Sequence, residues 1–133
     1  MSYDINIVDK DEKIIIVQDK IELRGGTFAI GGTNELSFNI TYNYGDFYYQ
    51  QFGEEGIRWL YGKKVEDTIF KIIEVIKDLD IQAKTFDYKP LDNMGNIIDV
   101  DSYWHPNPKN AANALRGLLN LATYGLNGYW DGD

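Results

Sequence analysis

Between Phe38 and Tyr61 the chain reads FNITYNYGDFYYQQFGEEGIRWLY, and nine of these 24 residues are aromatic, against 19 in all 133. Within this stretch Asn39, Tyr42, Asn43, Tyr44, Tyr49, Arg58 and Trp59 combine rings with amides, hydroxyls and a guanidinium. Rings stack on bases or pack on apolar anchors, and amides hydrogen-bond to base edges. Tyr and Trp also dominate protein interfaces. The stretch is therefore a candidate binding surface, for a nucleotide or for a protein. The competing reading is a core filled by rings, with the asparagines making turns.

Other constellations carry less chemistry. Tyr103-Trp104-His105-Pro106 holds His105, the only histidine, so a multi-histidine metal site is excluded. Asp92, Asp99 and Asp101, with Asn93 and Asn96, have the oxygen chemistry of a hard-cation site. Their spacing does not fit a calcium loop, because Met94 falls at a ligand position and no closing Glu follows; Asp92 to Asn96 reads as a turn. Gly25-Gly26 and Gly31-Gly32 lack the Lys-Ser/Thr of a phosphate loop. Arg24, Arg58 and Arg116 are the only arginines, able to hold a phosphate or carboxylate or to pair with neighbouring acids. Ser2, Ser37 and Ser102 lack the flanking glycines of a nucleophile elbow. No catalytic set, cofactor or metal site is expected.

Composition narrows the partners. The 13 Lys and Arg face 21 Asp and Glu, a formal net charge of −8, which repels nucleic-acid phosphates and suits a basic protein partner. There is no cysteine, which excludes disulfides and thiolate chemistry. The polar, acidic start MSYDINIVDKDEK is unlike a secretory signal, and no apolar run approaches a membrane span. A cytoplasmic location and no membrane partner are expected. The length suits one domain, residues 1–133.

The elements that must position these residues follow from periodicity. Asp4 to Val8 alternates and Lys13 to Val17 is a β-branched run, so both read as strands joined by a turn at Asp9 to Glu12. Ile21 to Arg24, Phe28 to Ile30 and Glu35 to Thr41 extend the sheet. Asp46 starts a short helix over Phe47 to Phe52. From Lys63 to about residue 80, Val65, Ile69, Ile72, Ile73, Ile76 and Leu79 form one apolar stripe of a helix. Phe86 to Leu91 and Ile97 to Tyr103 read as possible hairpin arms. Asn107-Pro108 is a cap and first helical position for a second long helix, about 108–124, closed by Gly125. Tyr129 and Trp130 are expected to fold back onto the body. The expected class is α+β, a small antiparallel sheet packed on two main helices. Phe38, Ile40 and Phe52 should look inward.

The segments Asn39-Ile40-Thr41-Tyr42-Asn43-Tyr44, Gly56-Ile57-Arg58 and Leu60-Tyr61-Gly62-Lys63 resemble a family of small bacteriophage and prophage proteins. Tyr103-Trp104 before Pro106, Asn110-Ala111, Leu115, Gly117-Leu118-Leu119, Leu121-Ala122 and Trp130-Asp131-Gly132-Asp133 fit the same pattern, over about residues 36–133. The resemblance implies a virus or mobile element as genetic setting and carries no catalytic residues. With the aromatic cluster and the acidic charge, the expected role is an accessory protein that binds and inhibits a host factor, such as a host-defence protein in an anti-CRISPR-like or other anti-defence role. That host protein could carry a basic nucleic-acid-binding surface, and homo-oligomers are possible. The alternatives are a sponge for a signalling nucleotide, and a metal-dependent hydrolase using the Asp92–Asp101 carboxylates.

Overall fold

The computed structural model describes residues 1–21, 33–89 and 91–133. The expected strands at Ile21 to Arg24 and Phe28 to Ile30, the two glycine pairs and Arg24 fall wholly or mainly outside them. The fold is α+β. Strands β1 (Ser2–Val8), β2 (Ile16–Ile21), β3 (Thr33–Glu35) and β4 (Ser37–Thr41) precede helices α1 (Gly45–Phe52), α2 (Val65–Ala83) and α3 (Pro108–Ala122), and β5 (Tyr129–Gly132) ends the chain. One antiparallel sheet has the order β4-β1-β5; β2 and β3 pair separately.

Alternation decides the faces of the sheet. Tyr3, Ile5 and Ile7 of β1 point inward with Phe38 and Ile40 of β4 and Trp130 of β5, all buried. The outer face is polar: Ser37 donates to Asn6 at 2.6 Å, and the Asn39 amide donates to Ser2 Oγ and Asp4 Oδ1. The turn after β1 forms where acids were expected. Asp9 Oδ1 accepts from the N–H groups of Asp11 and Lys13, and Glu12 takes a positive φ.

Helices α2 and α3 pack on each other and cover the inner face. The buried side of α2 is Val65, Thr68, Ile72, Val75, Ile76 and Leu79. The expected stripe is thus rotated: Thr68 and Val75 lie inside, whereas Ile69 and Ile73 are half-buried. Helix α3 starts as its cap predicts, with Asn107 Oδ1 accepting from Asn110 N at 2.8 Å and Pro108 in the first turn. It ends at Ala122, two residues short of the expectation; Tyr124 and Gly125 continue in tighter turns to Leu121 and Ala122.

The start of α2 differs from the expected Lys63 for a tertiary reason. The main chain of Lys63 is already paired with β5: Trp130 N donates to Lys63 O, and Gly62 N donates to Trp130 O. The helix begins at Val65, whose N–H donates to Gly128 O, while Glu66 N donates to Leu126 O. These tail carbonyls substitute for the missing side-chain cap. Gly128 is needed there, because a Cβ would stand 2.5 Å from Ile7 Cγ2 and 3.0 Å from Val8 O.

The expected hairpin arms at 86–91 and 97–103 do not form. One isolated bridge joins Leu91 and Ile97 around the Asp92 turn, with no strand on either side among the described residues. Beyond the bridge the chain turns repeatedly, Ser102 N to Asp99 O and His105 N to Ser102 O, and its carbonyls bond to side chains instead of a sheet partner. Among the described residues no helix is long and apolar enough to cross a membrane.

Candidate functional site

Four successive main-chain carbonyls, Ser102 to His105, are held by side chains from elsewhere. Asn110 Nδ2 donates to both Ser102 O and His105 O at 2.9 Å. The Tyr44 hydroxyl donates to Tyr103 O, and Asn43 Nδ2 donates to Trp104 O at 2.8 Å. Asn107 Nδ2 reaches Val100 O at 3.2 Å and His105 Nδ1 at 2.8 Å. Because Asn107 Oδ1 caps α3, its NH2 faces the imidazole; His105 Nδ1 therefore accepts, and Nε2 carries the proton. In return the Tyr103 hydroxyl accepts from Thr41 N at 3.0 Å. A segment without regular structure is thereby fixed, and it presents Trp104 half-exposed.

Trp104 forms one wall of a cleft of about 600 Å³ within the 86–106 segment. Phe86, Leu91, Ile98 and Pro106 complete its apolar lining, with Asp87, Lys89, Asp92, Asn93, Asp99, Ser102 and His105 at its polar positions. The size is that of a ligand or side-chain pocket. Phe86 is anchored from below, its ring 5.9 Å from Phe47 of α1 and 5.0 Å from Tyr88, whose hydroxyl donates to Ala83 O at the end of α2. Three carboxylates against one ammonium make the cleft acidic. Asp92 Oδ1 accepts from Met94 N and Asn96 N, and these bonds, those from Asn96 foremost, hold the carboxyl below its usual range. Asp99 Oδ1 accepts from Asp101 N, and Asp101 meets Lys109 at 3.6 Å. Among the described residues no three His, Cys, Asp or Glu side chains are placed to hold a metal.

The expected binding residues separate into three groups. Asn43 and Tyr44 serve the cleft by fixing its Trp104 wall. Tyr44 is fully buried, which corrects the expectation that it lies on a gripping surface; its ring packs edge-on against Tyr48 and Tyr103. Burial pushes its phenol well up, with Tyr103 beside it adding to the shift. Asn39 bonds across the outer sheet face. Tyr42, Arg58, Trp59 and Tyr49 form the third group. In it the Arg58 guanidinium lies 5.0 Å from the Tyr3 ring and 5.7 Å from the Tyr42 ring, and its Nε donates to Asp133 O at 2.8 Å. Trp59 stacks on Phe52 at 5.9 Å and carries Lys63 Nζ 4.1 Å from its ring. Tyr49, exposed, packs its ring over Gly56, where a Cβ would meet it at 3.1 Å. These groups engage one another within the chain.

The chain matches no known protein family, no curated protein and no solved structure in comparisons with each. The chemistry of the cleft therefore rests on its own residues. Trp104 and His105 stand out in the sequence, but Phe86, Leu91 and Ile98 do not. Their signal is an apolar and aromatic density across 86–104 with neither helical nor strand period, too many rings for a solvated loop.

Proposed function

We propose that this protein is a non-enzymatic binding protein that inhibits a host factor by direct contact, with the Trp104 cleft as its contact site. The observation that carries the reading is the combination in one fixed cleft: an apolar lining around Trp104, ringed by Asp87, Asp92 and Asp99. Such a site accepts an apolar side chain from a partner segment and favours Lys or Arg on either side of it. A basic, nucleic-acid-binding host protein supplies segments of that kind. The phage setting comes from the sequence resemblance, and a host-defence protein is the partner class it favours.

The nucleotide-sponge reading draws less support. The acidic rim repels a polyphosphate, and Arg58, the cation best placed among the aromatic residues, already meets Tyr3, Tyr42 and Asp133. The hydrolase reading lacks a converging set of carboxylates among the described residues.

The test compares capture by the wild-type protein and by Trp104→Ala, followed by calorimetry with peptides from the captured partner. The expected partner binds through a segment with an apolar anchor flanked by basic residues and is lost on Trp104→Ala. Equal capture by the variant removes the cleft from the reading. A thermal shift with cyclic or linear nucleotides favours the sponge instead.

A further inference from the structure

Helix α2 buries one side and leaves two large apolar side chains exposed on the other. Phe70 is 87% exposed and Ile81 is 61% exposed. They are three helical turns apart and share a face with the exposed Glu74 and Lys77. A Phe this exposed on a regular helix serves no packing within its own chain. Of the charges near this face, Asp67 and Glu74 lie towards the N-terminal end and Lys77 and the C-cap Lys84 towards the C-terminal end, with Glu66, Lys71 and Asp78 flanking them.

We propose that the outer face of α2 is the self-association surface of this protein, an antiparallel contact between two copies. A two-fold axis crossing the helix midway between Glu74 and Lys77 sets Phe70 against the partner's Ile81. The same axis sets Glu74 against the partner's Lys77 and Asp67 against the partner's Lys84. Each contact occurs twice, as an isologous interface requires. A parallel arrangement sets Glu74 against Glu74 and Lys77 against Lys77, and like charges at contact are unfavourable. In the single chain Glu74 has, among the described residues, one long contact to Lys71, 3.8 Å, which leaves it able to exchange partners. The apolar contact is small, so the association is of the weak, concentration-dependent kind. The proposal is independent of the Trp104 cleft.

Sedimentation equilibrium at concentrations on the order of 100 μM is expected to show the mass rising from 15.3 kDa towards twice that value. Phe70→Ser returns it to the monomer, and the exposure of this side chain leaves folding intact. Glu74→Lys and Lys77→Glu each weaken the dimer, whereas the double exchange restores it. Because the chain has no cysteine, geometry can be read by oxidation. The two copies of position 70 lie about 16 Å apart along the helix, from a rise of about 1.5 Å per residue. Phe70→Cys alone and Ile81→Cys alone therefore stay uncross-linked, and a mixture of the two forms a disulfide dimer. A monomer at every concentration, a double exchange that fails to rescue, or cross-linking of either single variant with itself overturns the proposal. Loss of a foreign partner on Phe70→Ser, with the wild type monomeric, assigns the face to that partner and also overturns it.

Discussion

The side-chain amide of Asn43 donates to the main-chain carbonyl of Trp104 across 2.8 Å, joining positions 61 residues apart. This bond connects the aromatic, amide-rich stretch to the cleft it helps to build. Asn43 itself is exposed. Asn43→Ala is expected to cost about 0.5–1.5 kcal/mol of stability and to weaken partner binding by loosening the Trp104 wall. Chemical denaturation and calorimetry with the partner peptide check the two effects separately. Unchanged affinity shows that Trp104 is held without this bond.

Tyr44→Phe removes the hydroxyl that satisfies Tyr103 O and leaves the ring in place. The expected loss is about 0.5–1.5 kcal/mol, the net worth of one hydrogen bond in this part-buried layer. Tyr48→Phe removes a second bond to Ala111 O, a carbonyl inside α3 that keeps its in-helix donor, and is expected to fall in the same range. Only the first should also raise amide exchange at residues 103–105. Urea melts and hydrogen exchange provide the comparison.

Trp130 Nε1 donates to Thr68 Oγ1 at 2.8 Å, in the buried layer between β5 and α2. Thr68→Val keeps the shape and removes the acceptor, so it is expected to destabilise by about 1–3 kcal/mol. Thr68→Ser keeps the hydroxyl and is expected to cost less than Thr68→Val. If thermal melts give the opposite order, methyl packing outweighs the indole bond at this position.

Burial raises the phenols of Tyr3, Tyr44, Tyr48, Tyr61 and Tyr103 above their ordinary value of 10.0. Their folded-state values exceed the unfolded ones, so their stabilising contribution is complete below pH 10 and is lost as pH rises further. Alkaline titration is expected to show these phenolates appearing together with loss of the fold. Circular dichroism and phenolate absorbance, recorded on one sample, test the coincidence. Smooth ionisation of all ten tyrosines with the fold retained contradicts it.

Several parts of the fold were legible because they depend on neighbours in sequence. The Asn107-Pro108 helix start, the Asp9 and Asp92 turns and the inward alternation of β1 each follow from hydrogen bonds or periods within a few residues. The return of Trp130 to the core was legible from cost alone, since a large ring near a chain end gains by burial. Its partner strand was not legible. Nor was the division of the aromatic stretch, because Tyr44 and Tyr42 differ little in local pattern. They differ in what stands opposite: Tyr44 meets Tyr103 and Tyr48 in the core, while Tyr42 meets Arg58 at the edge.

The sequence by itself determined the α+β class, the two long helices and the net acidic charge, because periodicity and composition are local quantities. Tertiary structure alone decided where α2 begins, since its first N–H groups are capped by Gly128 and Leu126 from the far end of the chain. It also decided that residues 86–106 form a cleft instead of a hairpin. Side chains of Asn43, Tyr44, Asn107 and Asn110 take the carbonyls that a second strand would have taken. Bonds of that kind have no period along the chain, so they become visible only when distant segments are brought together.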